Sequence, residues 1–161
     1  MRDSVTSVVI AGLGGQGVLK ASDILADAVF RAGFDVKKAE VHGMSQRGGS
    51  VNSDVRFGAR VFSPMVPFGE ADYLVVLAPD QLENNHGYLR PGGVLIEPST
   101  VDAGQLENKR SFNVAMIGRL SRHFDLPEHC WREALAANFP PALLETNLRA
   151  FALGREAAVT R

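Results

Sequence analysis

The sequence predicts an α/β domain of three layers, α/β/α, built around a mainly parallel sheet. Three observations predict it. A short β-branched run at residues 5–11 leads directly into Gly12-Leu13-Gly14-Gly15-Gln16-Gly17, and helical periodicity begins at Val18. Two later runs, 73–78 and 94–96, are continuously apolar, as strands buried on both faces are. From about Phe112 to the end, the apolar residues fall at helical spacing. A strand, a glycine turn and a helix in that order make the opening of a Rossmann-like fold.

Each element can be justified in turn. In the first helix Val18, Ala21, Leu25, Ala28, Val29 and Ala32 share one face, while Lys20, Asp23, Asp27 and Arg31 share the other. Gly33 is placed to end it. Residues 36–41 make a second strand and complete a β–α–β unit. Residues 42–50 are glycine-rich and polar, and read as a loop. Residues 51–57 alternate, with Val51, Ser53, Val55 and Phe57 on one side and Asn52, Asp54 and Arg56 on the other. That pattern predicts a half-exposed strand. Gly58-Ala59 offers a tight turn from which 60–62 returns as a β-hairpin excursion. Pro64, Pro67 and Gly69 interrupt regular structure. Strand 73–78 follows, then a short helix over 81–86 capped by Asp80, and Pro91-Gly92-Gly93 turns into strand 94–96.

Residues 98–111 are polar and turn-prone. A helical C-terminal region follows. Ile117, Leu120 and Phe124 form an apolar stripe, Pro127 opens a helix over 128–138, and Pro140-Pro141 opens a last helix ended by Gly154. With no repeat and no shift in composition, residues 1–161 read as one domain.

Composition excludes several function classes. The 161 residues carry a formal net charge of -1, so neither nucleic acid nor an anionic membrane is expected as partner. No apolar run approaches the roughly 20 residues of a membrane helix, and the N-terminus has no signal-peptide pattern. A single cysteine, Cys130, leaves no disulfide framework and no self-contained iron–sulfur site, which takes about four thiolates. Beside Trp131 in a helical context, Cys130 reads as a core residue. These features together suggest a cytoplasmic protein.

Two segments carry the candidate site. Gly12, Gly14, Gly15, Gln16 and Gly17 match G-x-G-x-x-G between strand and helix. Glycines let the backbone N–H groups of a helix start approach an anion, with the helix dipole adding attraction. Glu40, near the end of the second strand, stands where a dinucleotide fold needs an acid for ribose. The same glycines also serve where helix and strand must simply pack closely, and both readings stand. The second segment follows the second strand. His42, Ser45, Gln46 and Arg47 supply hydrogen-bond donors, and Gly43, Gly48 and Gly49 permit close approach. Arg47 suits a bidentate grip on phosphate or carboxylate, or an ion pair with a nearby acid. Neither a metal site nor a catalytic set is read here: His86, His123 and His129 are scattered.

These motifs together resemble the gamma domain of pyruvate and 2-oxoacid ferredoxin oxidoreductases. The resemblance runs through Gly12 to Val18, Ala32 to Val36, His42 to Val51, Val55 to Gly58 with Ser63-Pro64, and Gly69 to Asp72. It continues through Pro91-Gly92-Gly93 and Glu145 to Gly154. The His-Gly-Met-Ser-Gln-Arg-Gly-Gly form is most similar to the beta subunit of indolepyruvate ferredoxin oxidoreductase. Between Ile96 and Phe112 this chain is shorter than those relatives, which carry another strand there.

The resemblance implies a division of labour. A large partner subunit holds thiamine diphosphate, Mg2+ and the iron–sulfur clusters, decarboxylates a 2-oxoacid, and passes electrons to ferredoxin and the acyl group to coenzyme A. This chain binds none of those cofactors tightly. It is expected to be an accessory subunit whose two glycine-rich segments contact either coenzyme A or the partner chain. Two other readings remain: a free-standing NAD(P)-binding reductase, and a non-catalytic Rossmann-like binding module.

Overall fold

A computed structural model describes residues 4–42 and 49–157, without the side chain of His42. Five strands form one sheet: β1 (Thr6–Leu13), β2 (Asp35–His42), β3 (Ser50–Gly58), β4 (Ala71–Val76) and β5 (Leu89–Ile96). Their order is β2-β3-β1-β4-β5. β1, β4 and β5 are parallel neighbours, whereas β3 runs antiparallel to both β1 and β2. Four of the five strands therefore point the same way.

The hairpin exists, but its partner differs from the one expected. β3 pairs with β2 over all but its first residue, from Asp35 opposite Gly58 to His42 opposite Val51. Residues 60–62 form no strand. The Val61 N–H instead donates to Asp35 Oδ2 at 2.7 Å, and the Val61 side chain is buried. β3 is also not half-exposed. It lies inside the sheet, with Ser53 and Asp54 covered on its two faces. Asp54 is tolerated there because it is bonded, its Oδ2 accepting from Val66 N at 2.9 Å, whereas Ser53 Oγ has no partner among the described residues.

Alternation in β1 builds two cores. Val8 and Ile10 face the larger one, and Val9 and Ala11 the smaller. Over the first face lie α1 (Val18–Arg31), α3 (Phe112–Ser121), α4 (Glu128–Asn138) and α5 (Pro141–Glu156). Asp27 and Arg31 of α1 form the expected four-apart pair at 2.9 Å. The other face is covered by the short α2 (Leu82–Asn85), flanking 3-10 turns, and a strap that buries Val66.

Three local expectations are corrected. Asp80 caps nothing: it sits within a 3-10 turn, and neither that turn nor α2 has a side-chain cap. Pro91-Gly92-Gly93 lies inside β5, where the register with β4 shifts. Gly154 does not end α5, which continues to Glu156. Its hydrogen faces α3, and a Cβ there would stand 1.7 Å from the Ala115 carbonyl oxygen. Cys130 and Trp131 are buried, as a core reading requires.

Candidate functional site

The carboxyl ends of β1, β4 and β5 meet at one edge of the sheet. The chain leaves β1 toward β2 and leaves β4 toward β5, so the gap between β1 and β4 is the topological switch point. Open α/β sheets bind ligands there. A cavity of about 920 Å³ occupies this place. Its walls come from three crossings: Gly15, Gln16 and Gly17 after β1, Leu77 and Pro79 after β4, and Pro98, Ser99 and Val101 after β5. Lys109, Arg110 and Phe112 complete them.

The glycine turn is held from several sides. Gln16 is committed to the backbone: its Oε1 accepts from Leu13 N at 2.7 Å and its Nε2 donates to the Leu77 carbonyl at 3.4 Å. It thus staples the turn to the end of β4. Gly12 is required by packing, since a Cβ would lie 2.8 Å from Val18 Cγ2. Gly17 is the N-cap of α1 at φ 80, and Asn113 of α3 occupies the place of its missing Cβ. Gly15, at φ 89, differs from both because a Cβ there would meet only open space. The packing reading therefore accounts for Gly12 and Gly17, while Gly15 borders the cavity.

The electrostatics of the cavity favour an anion. No side chain caps α1 and no acid lies in its first turn, so the first N–H groups and the positive end of the helix dipole stay available. Lys109 and Arg110 line the same cavity, and among the described residues neither forms an ion pair. Asn108 Oδ1 accepts from Arg110 N at 3.0 Å and fixes the turn that carries them. Leu77, Val101 and Phe112 supply apolar surface beside these charges. Sequence reading missed Lys109 and Arg110. The signal available was two adjacent cations just ahead of a helix in a stretch that read only as turn-prone.

The second candidate segment is anchored at this edge by both of its ends. His42 closes β2 opposite Val51, and the Gly49 carbonyl accepts from Gly14 N at 2.8 Å. Ser45, Gln46, Arg47 and Gly48 lie outside the described residues, as does the His42 side chain. Glu40 is not brought to the glycine turn. β3 intervenes between β2 and β1, so β2 stands two strand spacings away, about 10 Å. Glu40 instead accepts from Lys38 Nζ at 3.1 Å. Among the described residues, no three His, Cys, Asp or Glu side chains gather as a metal would need, and no helix is long and apolar enough to cross a membrane.

Fold and cavity together define a Rossmann-like domain with an anion-attracting cavity at its switch point. Residues 7–102 match the family described as pyruvate ferredoxin/flavodoxin oxidoreductase. The indolepyruvate oxidoreductase subunit IorB of Thermococcus kodakarensis is 35% identical over 192 residues, covering 94% of this chain and 95% of that one. The chain therefore belongs to the pyruvate ferredoxin/flavodoxin oxidoreductase family. Solved structures agree in fold. The gamma subunit of a keto/oxoacid ferredoxin oxidoreductase from Geobacter sulfurreducens superposes with a TM-score of 0.78 at 19% identity, covering 96% of each chain. A 2-oxoglutarate:ferredoxin oxidoreductase from Magnetococcus marinus, solved with 2-oxoglutarate, coenzyme A and succinyl-CoA, gives 0.83 at 23% identity. It matches 96% of this chain but only 31% of its own. The same fold thus occurs both as a separate subunit and within a longer chain.

Proposed function

We propose that this chain is the accessory, gamma-type subunit of a 2-oxoacid:ferredoxin oxidoreductase. A large partner subunit holds thiamine diphosphate, Mg2+ and the iron–sulfur clusters. The substrate is indolepyruvate or another aryl 2-oxoacid, coenzyme A accepts the acyl group, and ferredoxin receives the electrons through the complex. Similarity to the indolepyruvate subunit over nearly the whole chain supports this branch of the family.

Within the complex, this chain forms one wall of the coenzyme A approach. The observation that carries this reading is the cavity of about 920 Å³, lined by the uncapped start of α1 together with Lys109 and Arg110. Those groups would hold the phosphates, as charge-assisted donors do. Leu77, Val101 and Phe112 would take the flat, less polar base. Arg47 would reach the same ligand from the neighbouring segment. Thiamine diphosphate supplies the carbanion-stabilising chemistry of decarboxylation when bound in the partner. This chain binds and orients, and is inactive by itself.

The test is coenzyme A dependence in the assembled enzyme. Lys109→Ala with Arg110→Ala, and separately Arg47→Ala, should each raise the KM for coenzyme A by about 10- to 100-fold, the scale of one or two charged hydrogen bonds. Rates at saturating coenzyme A should change little. Unchanged KM values in an intact complex would overturn the reading, and so would oxidation of a 2-oxoacid by the isolated chain.

A further inference from the structure

β5 closes one end of the sheet, and no described strand pairs with its outer side. The two edges of this sheet are built differently. β2, at the far edge, carries Lys37, Lys38 and Glu40, charges that discourage a further strand. The first half of β5 is protected as well, by exposed Arg90 and Pro91 at the register shift, but its second half offers Gly93, Val94 and Leu95, all half-buried and uncharged. Relatives differ in length as well. The alignment with the Thermococcus subunit runs over 192 positions against 161 residues here, so at least 31 of its positions have no counterpart in this chain.

A buried donor without a partner lies on α3 beside this end of the sheet. Arg119 of α3 is only 8% exposed, and its buried Nε has no hydrogen-bond partner among the described residues. It shares a helix face with Met116, three before, and His123 follows in the turn just past the end of α3. Met116 Sδ stands 4.0 Å from Thr100 Oγ1, just past the end of β5. His123 packs 5.4 Å from the ring of Tyr73, which pairs with Val94. Arg119 therefore lies on the side of α3 that covers the β4–β5 end of the sheet. The charges that act on it are of its own sign: burial, then Arg122, holds its guanidinium below the ordinary value. Arg90, at the start of the strand, already has a partner in Asp72 at 2.7 Å.

We propose that an extended segment of the large partner subunit lies along the open edge of β5 and brings a carboxylate to Arg119. A backbone ladder supplies affinity and the carboxylate supplies register, as in other strand additions. Charge selects this occupant over a second copy of the chain. A two-fold pairing of β5 with β5 brings the Arg119–Arg122 faces of both copies to one seam, where like charges oppose each other. The inference rests on the proposed subunit role.

Hydrogen exchange on the assembled complex tests it, with the chain co-expressed beside the large thiamine-type subunit of its own source. Among Val94, Leu95 and Ile96, the alternate amides that face away from β4 should exchange at least about tenfold more slowly in the complex than in the isolated chain. Arg119→Met keeps the apolar stem and removes the charge. It should weaken assembly by about tenfold or more, the scale of one charge-assisted hydrogen bond, and Arg119→Lys should recover part of the loss. An intact complex with unprotected β5 amides overturns the inference and leaves the subunit role standing. Wild-type assembly by Arg119→Met also overturns it, because the side chain then only covers an apolar margin. An Arg119-dependent homodimer assigns the edge to a second copy and overturns it too. If the wild-type chain forms no complex with that subunit, both readings fall.

Discussion

Asn113, in the first turn of α3, donates to the Gly17 carbonyl at 3.1 Å and fills the space where a Gly17 β-carbon would stand, 2.4 Å from its Nδ2. Two segments 96 residues apart are thereby locked at the mouth of the cavity. Gly17 is at φ 80, so alanine there carries backbone strain and also expels Asn113. Left-handed strain costs about 1–2 kcal/mol and the lost hydrogen bond about 1 kcal/mol. Gly17→Ala should therefore destabilise the chain by about 2–3 kcal/mol, read as a lower urea midpoint at unchanged slope.

The packing of α3 on α5 sets a second prediction. Gly118 and Gly154 let the two helix backbones touch: β-carbons there would stand 2.1 Å from the Phe151 oxygen and 1.7 Å from the Ala115 oxygen. Backbone atoms cannot swing aside as side chains do, so the helices must separate. Overpacking of this kind costs about 1–3 kcal/mol and sometimes more. Gly154→Ala should lie at or beyond the top of that range. Gly92→Ala should cost only the left-handed strain of its φ of 78, about 1–2 kcal/mol, because the only atom near its β-carbon is Arg90 Nη1 at 4.0 Å. Thermal unfolding of both variants side by side separates helix contact from a general intolerance of alanine.

How much of this could be read from the residues alone follows from what each pattern encodes. The turn from Gly12 to Gly17 was legible because strand, turn and helix are consecutive, and local periodicity marks them. The place of β3 was not. Alternation of Val51, Ser53, Val55 and Phe57 with polar residues signals one wet face, yet Asp54 is buried by a strap twelve residues further on. Gly154 looked like a helix end for a similar reason, because only the distant Ala115 reveals why a hydrogen is needed there. Lys109 and Arg110 belong to the cavity through folding of a segment without periodicity. Nothing in the residues around Arg119 marks it as buried, since its cover comes from the tertiary packing of α3.

Asp54 gives a pH prediction. Burial pushes its carboxyl above the ordinary value, while the Val66 N–H and the nearby Arg56 partly offset that push. The folded form therefore holds the proton to higher pH than the unfolded chain does. Its contribution favours folding below the ordinary carboxylate pKa and is lost as pH rises through the elevated folded value. Asp54→Asn keeps an acceptor for Val66 N and removes the titration. Urea unfolding from pH 3 to 7 should show wild type gaining on Asp54→Asn as pH falls. A pH-independent difference between the two would refute the shift.

Gly12 and Gly15 belong to one motif, yet they should fail in different ways. A methyl group at Gly12 meets Val18 Cγ2 at 2.8 Å and Gln16 Oε1 at 3.0 Å, both inside the junction of β1 and α1. A methyl group at Gly15 meets nothing within 4 Å and sits on the cavity wall, at a left-handed φ of 89. Gly12→Ala should thus lower stability through crowding, by about 1–3 kcal/mol, while coenzyme A dependence in the assembled enzyme stays as in wild type. Gly15→Ala should cost about 1–2 kcal/mol of backbone strain and also raise the KM for coenzyme A, because its methyl group and any shift of the turn alter the approach of phosphate to the α1 N–H groups. Equal KM values for the two variants would mean that the glycine turn serves only to pack strand against helix. Ligand binding would then rest on Lys109, Arg110 and the segment carrying Arg47.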